Sequence, residues 1–479
     1  MIQQVLFPLG LYVAGLVWGA IFRNEISFSF ICVTGFLWGA FLWVFAALVL
    51  LSFSFPYTLT TMACLMSVIV LLSVVINIRR NTWRLNMYEI AYLAVICIAF
   101  LVVISASAKF NLTAVSYDSI AQILLGKSIG YDGFTESTGR TLASWGVLIP
   151  LLQSAAVLLG NDYMYTLQPA FAFSLILTFY YLCYRVVCKV TDKRSAVWMA
   201  LLATLVLAST YFIFFQAFYI HNSLPAAAYL LVAVSSFWLA LQERVYSWLI
   251  FGMTALTAFS IARVETPLFA LLFLSLLLST GRLSHRIILS AIIPYLAILI
   301  FWYLKLLVMI GNGTDILSPA KIQAIVTLLI IFGIFTLCSN IGIVKDVILP
   351  NLHLILAGVL TVAMIGIFII KPGHMLISLK SISLNMLASG RWGATWFLIL
   401  SLMSFTFSRA KFLEERLFSL GILFFFILLL LLAYLRIPYS IGWGDSANRI
   451  ITHIVPITIM YVVVKYSNMV QMHKGNTTL

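Results

Sequence analysis

Apolar runs long enough to cross a lipid bilayer recur along the whole chain, from FPLGLYVAGLVWGAIF near the start to IITHIVPITIMYVVV near the end. A helix needs about 20 such residues to cross a hydrocarbon core about 30 Å thick, and inside that core every backbone amide and carbonyl must be satisfied by the protein itself. Helices meet both demands, and about fifteen segments qualify by length and composition. The chain is therefore expected to be all-α, a polytopic transmembrane helical bundle of about fifteen spans. Charged residues make up 9% of it and hydrophobic ones 63%, whereas an ordinary soluble domain carries about 25% charged residues. The opening MIQQ lacks a basic n-region and the first run ends in IFRNE without a small-residue cleavage site, so this run is expected to be a span rather than a cleaved leader. Cys32, Cys64, Cys97, Cys183, Cys188 and Cys338 all fall in apolar segments with no CxxC and no histidine at metal spacing. They are expected to act as small buried hydrophobes, and no metal site is expected.

The net charge of +14 would suggest nucleic acid in a soluble protein, but in a membrane protein it reports orientation first. Three spans near residues 3–22, 26–54 and 57–78 precede RRNTWR, and a fourth follows near 88–108. Placing RRNTWR on the cytoplasmic side puts IFRNEI, RVVCKVTDKR, LQERVYS, GRLSHR, IVKD, SRAKFLEER and the tail there too. That side then holds 17 of the 28 Lys and Arg and 7 of the 14 Asp and Glu, a balance of +10 (17 − 7) against +4 (11 − 7) outside. This is the positive-inside pattern, with the N-terminus outside and the C-terminus inside. Keeping KVTDKR inside requires that 141–160, TLASWGVLIPLLQSAAVLLG, does not span. It is expected to lie on or dip into the outer interface, bounded by Gly139 and Gly160 and interrupted by Pro150. The first outer loop then runs over about 109–162, the longest of the outer segments, and long ordered loops are where chemistry tends to sit.

Within SIARVETPLF, Arg263 and Glu265 interrupt an apolar run from Ser247 to Thr280 whose two flanks, QER and GRLSHR, are both basic. One helix of that length would measure about 51 Å, so a hairpin turning at RVET fits better, with Pro267 opening the returning arm. Arms of about 14 or 15 residues stop short of the far surface. The two charges are then expected either to pin the turn or to line a water-filled cavity open to the outer side.

Several outer residues have the chemistry for a site. Asp118, with Tyr117 beside it, opens DSIAQILLGK and reads either as the cap of a juxtamembrane helix or as a carboxylate at the membrane boundary able to take a proton. Asp132, Glu136 and Arg140 follow in the polar stretch GYDGFTESTGR. Late in the chain Asp445 and Arg449 lie in GWGDSANR, where a helix N-terminus and an arginine together suit a phosphate, though the arginine also suits lipid headgroups. Lys371 and Arg391 bound the segment KPGHMLISLKSISLNMLASGR, and His221, Asn222 and His453 are weaker candidates.

This order of features resembles the GT-C class of integral-membrane glycosyltransferases, which includes protein O-mannosyltransferases and the aminoarabinose transferases of lipid A. The resemblance is carried by YDSIAQILLGKSIG in the first loop, ARVETP at the tip of the hairpin and GDSANR entering the last span. It covers about 88–466, leaving 1–87 as an N-terminal three-span extension and 467–479 as a cytoplasmic tail. It implies a polyprenyl-phosphate-linked sugar donor and a lipid, glycan or protein acceptor, with membrane lipids around the site and no nucleic acid. It also implies a bacterial inner membrane with the site facing the periplasm. The first loop departs from the class in lacking paired acidic residues or a Glu-Lys pair, which leaves the acceptor and any divalent cation open.

The expected reaction is an inverting transfer, for which one base is enough. Asp118 would take the acceptor proton, and Arg449 and Arg263 would stabilise the departing phosphate, with Lys371 or Arg391 as alternatives. Glu265 and Asp445 would support the two arginines, with Tyr117, Arg140 and His221 around them. A polysaccharide polymerase or ligase would carry its large outer loop late in the chain, whereas here it comes early. A transporter or flippase would show repeated broken helices and a polar path across the bilayer.

Overall fold

The computed structural model describes residues 1–82, 84–114, 116–310, 318–405, 415–435 and 438–476. Most of the basic loop SRAKFLEER and residues 477–479 of the expected tail lie outside the described residues. Four long helices open the chain: α1 (Ile2–Gly19), α2 (Phe28–Ser52), α3 (Leu59–Arg80) and α4 (Met87–Phe110). The first loop holds α5 (Tyr117–Asp132), α6 (Glu136–Trp145) and α7 (Leu148–Leu158). There follow α8 (Leu167–Val187), α9 (Lys193–Ser209), the short α10 (Tyr211–Gln216) and α11 (Ser223–Glu243). Next come α12 (Tyr246–Ala262), α13 (Thr266–Leu278), α14 (His285–Ile310), α15 (Pro319–Leu337) and α16 (Leu349–Ile370). The chain closes with α17 (Pro372–Leu384), α18 (Thr395–Phe405), α19 (Glu415–Leu435) and α20 (Ser446–Asn476).

Among the described residues eleven helices are long and apolar enough to cross a membrane: α1–α4, α8, α11, α14–α16, α19 and α20. Helices α7, α12, α13 and α18 are apolar but shorter. Packing separates the long helices into two kinds. In α2 and α11 nearly every residue is buried, whereas α3, α4 and α16 turn most of their apolar surface outward. Apolar helices left uncovered by protein are what a lipid solvent permits. Cys64 lies on such a face and is exposed, and only Cys32 and Cys183 of the six free cysteines are buried, because a thiol on an outward helix face meets lipid instead of core.

The first three spans are not set apart from the rest. Gly15 meets α2 so closely that a Cβ there would lie 1.8 Å from the Gly35 carbonyl oxygen, the kind of crossing small residues allow between membrane helices. Helix α2 in turn packs on α4, α7 and α8, and Gln4 and Thr166 tie the start of α1 to the approach to α8 through Thr166 Oγ1 → Gln4 O (2.6 Å) and Gln4 Nε2 → Tyr163 O (2.6 Å). Of these three spans, α3 is the peripheral one.

The bundle has two distinct polar ends. At one, Arg23 donates to the carbonyls of Thr82 and Arg84 and pairs with Glu89, Ser247 donates to Glu25, and Arg185 pairs with Glu243 at 2.5 Å. These are the short basic turns that sequence assigns to one face. The other end holds the first loop, the tip of the α12–α13 hairpin and the start of α20.

Two parts of the first loop differ from the sequence expectation. The apolar stretch 141–160 is not one interfacial helix interrupted at Pro150. It breaks at Gly146 (φ +80°, ψ 171°), and Pro150 lies in the first turn of α7, where its missing N–H costs nothing. Helix α7 is buried from Leu148 to Ala156 against α5 and α2, so protein rather than lipid headgroups covers it. The break serves the hairpin. Val147 N donates to Ile261 O (3.1 Å), and a Cβ on Gly146 would lie 2.0 Å from the Ala262 carbonyl oxygen, in a backbone region essentially limited to glycine. Gly146→Ala is accordingly expected to cost about 1–3 kcal/mol from backbone strain alone, and more from the clash. Thermal unfolding in detergent reads this as an early transition, and an unchanged midpoint would mean that the elbow does not bear on the hairpin.

Candidate functional site

The hairpin turns where sequence places it, with arms of 17 and 13 residues. These span about 26 and 20 Å, so its tip sits within the thickness of a hydrocarbon core. Arg263 and Glu265 occupy that tip, 8% and 7% exposed, joined Nε to Oε1 at 2.5 Å. Thr266 Oγ1 donates to Ser260 O and Arg263 O, and the Tyr303 hydroxyl donates to Val264 O (3.4 Å), so the turn is held from inside and from α14.

Asp118 is placed by a backbone pairing. Ala114 N donates to Phe218 O (2.6 Å), and Ala114 and Tyr219 form an isolated parallel bridge. Ser116, in extended conformation, caps α5 by accepting from Ser119 N, so Asp118 is not the cap but a first-turn residue whose carboxylate is left for other partners. Those partners converge on one oxygen. Oδ2 of Asp118 accepts from the Tyr219 hydroxyl at 2.5 Å and from Arg449 Nη1 at 2.5 Å. The two charged side chains are 19% and 17% exposed, buried enough for the pair to matter and open enough to be reached. Tyr117 is 80% exposed, its ring beside Trp145 rather than among these partners.

Arg449 lies in the first turns of α20. Asp445 does not bond it directly, because its two oxygens are occupied by Ala447 N (2.8 Å) and by the amide and hydroxyl of Ser440 (3.0 and 2.9 Å), which fix the loop and the helix start. It remains within the field of Arg449, as does Arg263. The two ion pairs, Asp118–Arg449 and Arg263–Glu265, therefore belong to one cluster. Among the described residues the Nε of Arg449 is buried with no hydrogen-bond partner.

His221 completes one side. Burial first, and then the nearby Arg449, Arg263 and His453, push its imidazole well below the usual histidine range, so it is neutral. Its Nδ1 accepts from Ser223 N at 3.1 Å, which leaves the proton on Nε2. Burial and then Asp118 push the Tyr219 phenol upward, in keeping with its role as a donor. Asn222 bonds the α6–α7 elbow, with Oδ1 accepting from Ile149 N (3.0 Å) and Nδ2 donating to Trp145 O (2.8 Å). His453, fully buried one turn below Arg449, packs edge-on against Phe259, with neither ring nitrogen hydrogen-bonded among the described residues.

No protein-family profile, curated protein or solved structure matches this chain. The chemistry of the cluster thus rests on its own groups. Asp118 can accept a proton, two arginines within each other's field suit an anion, and a neutral histidine and a phenol supply further donors.

The remaining sequence candidates fall outside this cluster. The Arg391 guanidinium lies 4.9 Å from the Trp443 ring, which packs on Phe215 and through it on Tyr219, so it stands two aromatic rings away. Lys371 sits exposed between α16 and α17 with its ammonium over Tyr434, joined to none of the cluster's contacts. Arg140 pairs with Glu136 and donates to Ile310 O (3.4 Å), bracing α6 against α14. Among the described residues no three His, Cys, Asp or Glu side chains converge as a metal site. A divalent cation would have to draw on Asp118 or Glu265, each already tied to an arginine. The residue that sequence reasoning missed is Tyr219. Its one signal is position, two residues before His221 in a candidate outer turn.

Proposed function

We propose that the protein is an integral-membrane glycosyltransferase that moves a sugar from a polyprenyl-phosphate carrier to an acceptor on the non-cytoplasmic face, with inversion. One observation carries the reading. Asp118 in the first loop and Arg449 at the last helix, 331 residues apart, meet in an ion pair beside Arg263–Glu265. A base and two cations for a phosphate are thereby gathered at one rim, opposite the end where the basic turns collect. That placement goes with about fifteen spans, counting α9, α18 and the two hairpin arms with the eleven long helices, with the N-terminus outside. A bacterial inner membrane with the site facing the periplasm fits the same reading.

Asp118 takes the acceptor proton as the acceptor oxygen attacks the anomeric carbon. The phosphate leaves from the opposite face with the electron pair of the broken C–O bond. Arg449 and Arg263 stabilise its growing charge, and Glu265 orients Arg263. The test is to offer purified protein a panel of polyprenyl-phosphate sugars and follow binding and slow hydrolysis. A donor bound and hydrolysed in a sugar-selective way is expected. Folded protein inert to the whole panel would move weight to a transporter.

A further inference from the structure

The Asp118–Arg449 pair sets the expected base directly against a cation expected to hold the leaving group, and Arg449 keeps a second edge unpaired. Nη1 is taken by Asp118, whereas Nε is buried without a partner. A buried N–H left unbonded is costly, so that edge is suited to a ligand that arrives with the substrate. A guanidinium presents its donors in a rigid plane and can hold two anions at once, one on each edge. The charged and titratable groups around the pair are Tyr219, His221, Arg263, Glu265, Asp445 and His453. The two carboxylate–arginine pairs of the cluster sum to zero charge.

We propose that Arg449 is shared between base and leaving group, and that its pairing passes from Asp118 to the phosphate as the sugar is transferred. This rests on the glycosyltransferase reading above. A polyprenyl-phosphate sugar is a phosphodiester with one negative charge. During transfer the acceptor O–H proton moves to Asp118, a C–O bond forms at the anomeric carbon, and the bond to the phosphate oxygen breaks with its electrons on that oxygen. Asp118 goes from −1 to 0 while the phosphate goes from −1 to −2, so the total charge around Arg449 stays constant. The arginine loses its carboxylate partner at the moment the phosphate needs a stronger one. Proton uptake at Asp118 and stabilisation of the leaving group are then coupled through one side chain, without motion of the helices.

The consequence is measurable without turnover. An uncharged residue at 118 mimics the protonated base, so it should strengthen binding of a doubly charged phosphate more than that of a singly charged one. The probes are farnesyl phosphate, a monoester, and its methyl ester, a diester, titrated into full-length protein in nanodiscs near pH 8. Asp118→Asn is expected to bind the monoester on the order of tenfold more tightly than wild type, within the usual range of coupling between sites, and the diester, with half the charge, about threefold more tightly. Asp118→Ser, neutral and smaller, serves if the amide variant does not fold. If both probes bind the variant as they bind wild type, or both more weakly, while sugar transfer is lost, the shared-arginine proposal is wrong and the transferase reading stands. If the variant transfers sugar at the wild-type rate, Asp118 is not the base and the proposal falls; if wild-type protein transfers none of the sugars offered, the reading itself falls.

Discussion

On the glycosyltransferase reading proposed above, Asp118→Asn is expected to lower sugar transfer by about 10²–10⁴-fold, the usual contribution of a positioned general base. The amide is nearly isosteric with the carboxyl, and its oxygen can still accept from the Tyr219 hydroxyl and from Arg449, both of which now reach Oδ2. Expression and thermal midpoint should therefore stay close to wild type, and the deficit should appear in turnover more than in donor affinity. Transfer into an acceptor by protein in proteoliposomes measures the first, and tryptophan fluorescence on heating measures the second. Wild-type transfer by a well-folded variant would remove Asp118 from the chemistry.

What sequence could and could not reach follows from the range of the contacts involved. Helical spans and the RVET hairpin were legible, because they are set by composition, length and flanking charge within single segments. Asp118 and Arg449 stood out as charges at the edges of apolar runs, yet nothing local says that they meet. Their contact depends on the bridge between Ala114 and Tyr219, which joins two irregular segments about a hundred residues apart. Tyr219 was hidden for the same reason, one of 21 tyrosines and set in the aromatic stretch FIFFQAFYI. Ser116 and Asp118 are both good helix caps two residues apart, and only the extended backbone at Ser116 decides between them. Lys371 and Arg391 look equivalent as basic flanks of one segment. They part because α17 packs on α19, which takes Lys371 to Tyr434, while Arg391 returns to Trp443 beside the start of α20. The elbow at Gly146 was masked by an apolar run that reads as continuous until its neighbour, the Ala262 carbonyl, is known.

Removing Glu265 should be the most destabilising single change at the hairpin. Glu265→Ala leaves Arg263 as a charge 8% exposed, beside Arg449, with its 2.5 Å partner gone. Breaking a buried pair from one side typically costs about 3–5 kcal/mol. Replacing both partners by apolar residues of similar size is often neutral, so Arg263→Met with Glu265→Leu should recover most of the thermal midpoint. The two variants together separate the readings that sequence left open for SIARVETPLF. If the pair only pins the turn, the refolded double variant transfers sugar normally, since the hydrogen bonds of Thr266 and the Tyr303–Val264 contact still shape the tip. If Arg263 carries phosphate charge, the double variant regains stability and still turns over about 10²–10³-fold more slowly, the loss expected when one preorganised donor to a developing anion is removed. The second outcome is the expected one, because Arg263 lies within the field of Arg449, so a phosphate held by one arginine is drawn by the other as well.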